Sequence, residues 1–376
     1  MRIQSVTCHT APMASSWLTE SVIANPMSIY PEYWERRSSW FGAMTAAVIS
    51  IETTDGVTGH GFVGGGRGDA VEPLLAAQFR AMLLGKSIEN PELLQEQLYR
   101  ASVFYGRGGL TQCVLSGIDI ALWDALAKTR GIPASRLLGD DPRDSLPVYY
   151  TGNDPAAMRE FGIRDMKIPV PFGPAHGEEG MARNEEAIAK ARDAIGPDAM
   201  LSLDIYMAWN VDYTLRMYER IEKYNIAWLE EPVLPDDFRG YREIRKRVGT
   251  RVSGGEHEYT LSGFDRLIND GCVDIVQPDI YRAGGPTALR KIADLARAAG
   301  VKLVCHGIGT PTYHFLATLD DDMTPFAEYV DIYRGTTKDW ILTDDPRPVN
   351  GRLTLSDAPG FGYDLNRNAK AVATIW

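Results

Sequence analysis

From residue 148 onward the chain repeats one pattern, a short apolar run followed by an amphipathic stretch. The runs are 148–151, 166–170, 200–206, 227–231, 252–257, 274–280, 302–306 and 326–330. From Val148 to Phe326 is 178 residues over seven intervals, about 25 per unit. Strand and helix alternating at this period imply a parallel sheet, because a helical crossover is what returns the chain to run in the same direction. Eight such units fit a (β/α)8 TIM-type barrel better than an open doubly wound sheet. The stretches 185–195, 214–223 and 287–298 each keep one apolar stripe, as helices on the outside of a barrel should.

The first 130 residues follow a different rhythm and read as an α+β capping domain. Residues 2–10 and 46–53 alternate, and the second run turns at Asp55-Gly56 and returns through 59–63, a hairpin pattern. Helical periodicity follows over 71–84, 91–103 and 109–129, the last with Val114, Ile118, Ala121, Leu122 and Leu126 on one side. Residues 12–40, rich in Ser, Pro, Trp and Tyr and without a period, read as a functional lid. The expected organisation is a cap over 1–130, a barrel over 131–350, and a tail over 351–376 that returns to the cap.

Composition narrows the function classes. Lys+Arg 39 against Asp+Glu 50 leaves a net charge of −11, which argues against nucleic acid and against an anionic membrane surface as partners. An anionic substrate must then be held by a local device, a metal ion or a few placed cations. The apolar run near 43–51 is too short to span a bilayer, and no apolar segment of the secretory kind follows Arg2. Cys8, Cys113, Cys272 and Cys305 are scattered without C-x-x-C spacing. That is free-thiol usage, as expected of a cytoplasmic enzyme.

In a barrel of this type the chemistry sits at the C-terminal ends of the strands. Read in order, those ends carry Lys167, Asp204, Glu230, Glu256-His257, Asp279, His306 and Glu328. From Asp204 onward the spacings are 26, 26, 23, 27 and 22, matching the strand period. Adjacent strands therefore bring several carboxylates to one mouth. At an effective dielectric near 20, each pair about 4 Å apart repels by roughly 4 kcal/mol, so something must offset the charge. Hard oxygen ligands in this number suit Mg²⁺.

These residues, with their neighbours, resemble the enolase superfamily, in particular its mandelate racemase subgroup and the acid-sugar dehydratases within it. The resemblance runs through Ala121-Leu122-Trp123-Asp124, Gly131-Ile132-Pro133, Leu137-Leu138-Gly139 and Leu203-Asp204. It continues in Trp228-Leu229-Glu230-Glu231-Pro232, Gly255-Glu256-His257, Gln277-Pro278-Asp279 and Pro359-Gly360-Phe361-Gly362. It implies an α+β cap over a modified barrel, one Mg²⁺ on Asp204, Glu230 and Glu256, and assembly into homo-oligomers, often octamers. It also implies abstraction of the proton α to a substrate carboxylate by His306, oriented by Asp279. Physical reasoning agrees, since that proton is weakly acidic until positive charge stabilises the doubly charged enediolate. An imidazole backed by a carboxylate is a base matched to neutral pH.

One departure bears on the reaction. Where many relatives carry Lys-x-Lys on the second strand, this chain reads Lys167-Ile168-Pro169. Proline is no base, and racemisation needs a proton acceptor on each face of the α-carbon. Elimination of a β-hydroxyl needs one base and an acid, and protonated His306 serves as that acid if both groups leave from one face. Lys167 is open to two roles, pairing with the substrate carboxylate or forming a salt bridge inside the barrel. Glu328 matches the family position that hydrogen-bonds a carboxylate oxygen, with a structural role as its alternative. His257 reads as a contact to a substrate hydroxyl or as packing, and Arg37 in the lid as a partner of an anionic or hydroxylated substrate or as a solvated loop residue.

The resemblance implies an aldonate as the substrate class. Residues 23–28 (Ile-Ala-Asn-Pro-Met-Ser), Tyr30, Tyr33 and Gly173-Pro174 resemble the L-rhamnonate dehydratases. Val22 stands where those enzymes carry a lid histidine, and 170–172 lacks polar groups, which leaves room for L-lyxonate or L-mannonate. Gly59-x-Gly61-x-x-Gly64 follows a hairpin and opens no helix, so it lacks the context of a dinucleotide site. His9, His60, His176 and His314 form no ligand spacing and read as structural or surface groups. The competing functions are a racemase or epimerase, which Pro169 disfavours, and a non-catalytic metal and sugar-acid binder, which has no need of the Asp279–His306 pair.

Overall fold

A computed structural model describes residues 1–13, 16–307, 309–330, 340–343 and 346–369. Parts of the expected lid (14–15), barrel (308, 331–339 and 344–345) and tail (370–376) lie outside the described residues.

The N-terminal unit is a three-stranded antiparallel sheet of β1 (Ile3–Met13), β2 (Met44–Thr53) and β3 (Thr58–Val63), in that order. The hairpin forms at Asp55-Gly56, where Gly56 takes φ +80°, a conformation glycine reaches without steric cost. β1 runs three residues further than its alternation suggests, because β2 begins early enough to pair Met13 with Met44. One face of this sheet packs on the helix Leu110–Arg130, which is buried from Thr111 to Ala127. Length and apolar composition alone would let this helix cross a membrane, but it is the core helix of the cap. Gly59 and Gly61 lie directly against the carbonyls of Ala121 and Gly117, so the glycine pattern serves close strand-to-helix packing.

The second sheet holds the eight expected strands: β4 (Ser145–Thr151), β5 (Met166–Pro169), β6 (Leu201–Asp204), β7 (Ile226–Glu230), β8 (Arg251–Gly254), β9 (Ile275–Val276), β10 (Lys302–Leu303) and β11 (Ala327–Val330). They pair parallel in chain order from β4 to β10, and β11 joins the free side of β4. The sheet thereby curls into a TIM-type barrel whose seam lies between β10 and β11. Two hydrogen bonds cross that seam near the strands, Leu303 N to Met323 O at 3.0 Å and Gly307 N to Glu328 Oε2 at 3.1 Å. Tyr149, Trp228, Ile275 and Val304 fill one cluster of buried residues within it. Helices including Gly177–Ile195, Val211–Ile221 and Gly285–Ala299 pack outside, each starting earlier than its apolar stripe. Asn210, for example, caps the second by accepting from Tyr213 N at 2.9 Å, four residues before the stripe begins.

The tail divides its contacts. A short strand β12 (Arg352–Thr354) pairs antiparallel with the start of β4, so the chain stays with the barrel before it reaches the cap. Residues 360–364 then dock on the helix Leu110–Arg130 around the buried carboxylate of Asp124. That carboxylate accepts from His60 N and Phe361 N, both at 2.9 Å, and lies 2.8 Å from Lys128 Nζ. A side chain fully removed from water is thus satisfied by the hairpin, its own helix and the tail at once.

Candidate active site

Because all eight strands point the same way, equivalent strand ends share one face. There a cavity of about 400 Å³ lies between cap and barrel. Met13, Ile23, Arg37, Phe41 and Met44 contribute from the lid side, and Asp204, Glu256, His257, Asp279 and His306 from the strand ends. Lys167, Glu230 and Glu328 do not line it.

Those three form a buried layer of their own. Lys167 is completely buried and ion-pairs with Glu230 Oε1, with Glu328 Oε1 at 2.8 Å and Asp204 Oδ2 at 3.8 Å. The second oxygen of Glu230 accepts from Gln277 Nε2 at 2.7 Å and Trp228 Nε1 at 3.2 Å. Glu328 also accepts from Thr151 Oγ1 at 2.7 Å. Burial pulls the Lys167 ammonium down, but Glu230 and Glu328 more than offset this and hold it well above its usual range. Burial likewise raises the Asp204 and Glu230 carboxyls. Lys167 forms the interior salt bridge that was one of its two expected roles, and neither it nor Glu328 lines the cavity. The reason is electrostatic, since an ammonium among converging carboxylates has no cause to leave them.

His306 Nδ1 lies 3.2 Å from Glu256 Oε2 and 3.2 Å from Glu328 Oε2. Burial lowers the imidazole, yet these two carboxylates outweigh it and raise it to about 10. Burial pushes Glu256 up, and His306, His257 and Arg282 together bring it down to about 2. A main-chain bridge joins Asp279 to His306 and continues β9 and β10, and the Asp279 carboxylate also helps to raise the imidazole. The Asp279 carboxylate turns to Tyr281 N at 2.8 Å and Arg282 Nε at 3.0 Å, partners supplied by its own tight turn.

His257 lines the cavity, with Nδ1 2.7 Å from Glu231 Oε2. Glu231 is held at φ +43°, and Tyr206 and Met207 at φ +50° and +61°, a left-handed cluster just past β6 and β7. Such strain persists where surrounding contacts enforce it, and here it re-aims side chains that strand alternation would send elsewhere. The Tyr206 ring carries the Arg37 guanidinium at 4.4 Å and meets the His257 ring edge-on at 5.1 Å. Arg37 is only 3% exposed, and burial lowers it to about 10. Sequence reasoning missed Arg282, Glu231 and Tyr206; the only signal for Arg282 was its place three residues beyond Asp279.

Asp204 Oδ1 is buried without a hydrogen-bond donor, and Glu256 Oε2, also buried, has the His306 ring 3.2 Å away but no well-aligned hydrogen bond. Donor atoms of Glu230, Glu256 and His306 lie within 4.8 Å of one another, as do those of Glu231, Glu256 and His257; Asp204 belongs to neither group. Buried anionic oxygens lacking donors fit a hard divalent cation.

Comparison with known proteins agrees with this geometry. Residues 37–139 match the mandelate racemase / muconate lactonizing enzyme N-terminal domain, and 154–369 match the enolase C-terminal domain-like family. A protein of Caldivirga maquilingensis described as a putative L-rhamnonate dehydratase is 37% identical over 353 residues, covering 92% of this chain and 88% of that one. The crystal structure of L-rhamnonate dehydratase from Gibberella zeae superposes with TM-score 0.90 at 38% identity, covering 98% of this chain and 94% of the other. A structure of rhamnonate dehydratase from Gibberella zeae complexed with Mg gives 0.88 at 36% identity, with 98% and 95% covered. Fold, strand-end carboxylates and both matched domains lead to one statement: this chain belongs to the mandelate racemase / muconate lactonizing enzyme family of the enolase superfamily.

Proposed function

We propose that the protein is a Mg²⁺-dependent acid-sugar dehydratase, a hydro-lyase that converts an aldonate into its 2-keto-3-deoxy acid. The observation that carries this reading is His306 on the cavity wall, set between Glu256 and Glu328, opposite a strand that ends in Lys167-Ile168-Pro169. Asp204, Glu230 and Glu256 would hold Mg²⁺, whose positive charge, when bound, stabilises the substrate carboxylate as its α-proton leaves. His306 in its neutral form takes that proton, a form favoured once the charge of Glu256 is offset by the cation it would hold, and Glu328 stabilises the resulting imidazolium. The same imidazolium then protonates the β-hydroxyl on the same face, the C–O bond breaks, and water departs. The enol that remains tautomerises to the 2-keto acid. Arg37 and His257 orient the acid from the lid and from the strand end.

The substrate is L-rhamnonate or an acid sharing its C2–C4 configuration, such as L-lyxonate or L-mannonate. Relatives 37–38% identical and described as L-rhamnonate dehydratases support this, and the cavity volume suits one monosaccharide-sized acid. A cytoplasmic homo-oligomer, in the extreme an octamer, accords with four free thiols and with the subgroup resemblance; sedimentation at working concentration tests it. The function itself is tested by a dehydration screen over C5 and C6 aldonates with Mg²⁺, scoring 2-keto-3-deoxy product. One acid should turn over, and His306→Asn should abolish both product and α-proton exchange in D₂O. Absence of product and of exchange across the whole set would refute the reading.

A further inference from the structure

Arg282 has no role in the chemistry described above, yet it is placed among its parts. It lies in the turn after β9, where its N–H and that of Ala283 donate to the Asp279 carbonyl at 3.0 and 2.9 Å. Its guanidinium spans two carboxylates. Nε faces Asp279 Oδ2 at 3.0 Å, while Nη1 reaches Glu256 Oε1 at 3.2 Å and the Glu256 carbonyl at 3.1 Å. These carboxylates come from neighbouring strand ends, both are nearly fully buried, and their mutual repulsion would otherwise drive them apart. A planar fork that binds both fixes their spacing as well as their charge, which the point charge of a lysine does not do.

The cap backs this fork. A Cβ on Gly64, just past β3, would stand 2.9 Å from the Tyr281 carbonyl oxygen and 3.2 Å from Arg282 Cγ. The absence of a side chain at residue 64 lets the hairpin end press against the turn and the stem of the arginine.

We propose that Arg282 is a positioning residue, a strap held in place by the cap that sets Glu256, and with it the cation site, in register with Asp279 and the base beside it. The inference rests on the dehydratase reading and adds to it the group that aligns the metal-binding half of the site with the proton-transfer half. Groups that hold metal-binding carboxylates from behind are worth about 10–100-fold in metal affinity or activity.

The test is titration of the purified full-length protein with Mg²⁺ by calorimetry, beside steady-state kinetics at saturating Mg²⁺ on an acid the wild type converts. Arg282→Met should weaken Mg²⁺ binding about tenfold or more, and kcat should stay low at saturating metal because Asp279 has lost its anchor. Arg282→Lys should recover part of the affinity and little of kcat. Gly64→Ala, which leaves the arginine in place but pushes on its stem, should lower kcat in the same direction while thermal unfolding still shows a folded protein. Wild-type Mg²⁺ affinity and kcat in Arg282→Met, alongside a wild type that binds Mg²⁺, overturns the strap alone. A wild type that takes up no Mg²⁺ overturns the functional reading and the strap with it.

Discussion

Lys167 offers the sharpest test of the site's electrostatics. It is completely buried, and Glu328, 2.8 Å away, is 1% exposed, so neither partner has water to fall back on. At an effective dielectric near 20 their attraction is about 6 kcal/mol before either pays its desolvation cost. Removing one partner of such a pair costs about 3–5 kcal/mol, because the other is left charged and buried. Lys167→Met should therefore destabilise by about that amount, with Glu230 and Asp204 adding to the imbalance. Glu328→Gln in the same chain removes one of the stranded charges, and the double variant should be more stable than Lys167→Met alone. A double-mutant cycle from urea unfolding midpoints should give a coupling of about 2 kcal/mol or more. A coupling below about 0.5 kcal/mol, the range of exposed pairs, would show that the layer is solvated in solution and that the buried-cluster argument is wrong.

Other outcomes follow from features away from this layer. His314 is fully buried and burial lowers it to about 4, against 6.5 when unfolded, so its contribution is present above pH 6.5 and is lost as pH falls toward 4. That amounts to about 3 kcal/mol, and a His314→Gln variant should show a visibly flatter loss of stability between pH 6.5 and 4 than wild type. Gly61→Ala forces a methyl group onto helix backbone, within 2.8 Å of Ala121 N, and should cost about 1–3 kcal/mol, read as a lower thermal midpoint. Arg37→Leu keeps the lid's apolar stem and removes its cation, so KM for the aldonate should rise about tenfold or more, measured at saturating Mg²⁺.

Much of this molecule was legible before any coordinates. The eight strands and their order came from the repeat, because a period of about 25 residues admits few architectures. The strand-end carboxylates came from the same repeat, since position along the strand fixes the face of the barrel. What escaped is what the repeat does not encode. Alternation assigns Glu231 and Tyr206 to directions that their left-handed backbones reverse. Of the two readings of Arg37, the solvated one falls only once Tyr206 is seen beneath it and the side chain is found buried. The second partner of Asp279, Arg282, went unseen because an arginine in a tight turn carries no periodic signal. β12 was invisible because three residues, paired with a strand about two hundred positions earlier, carry no local signature.

The Asp124 junction imposes an order on biosynthesis. His60 and Lys128 emerge from the ribosome close to Asp124, but Phe361, the third partner of that carboxylate, follows it by 237 residues. Domains generally fold as they are synthesised, yet here the nascent cap must carry an incompletely satisfied acid at its centre until the segment after the barrel arrives. Synthesis of the whole barrel is thus built into the cap as a folding condition, and a chain stopped before residue 361 would display that defect to the cell's quality control.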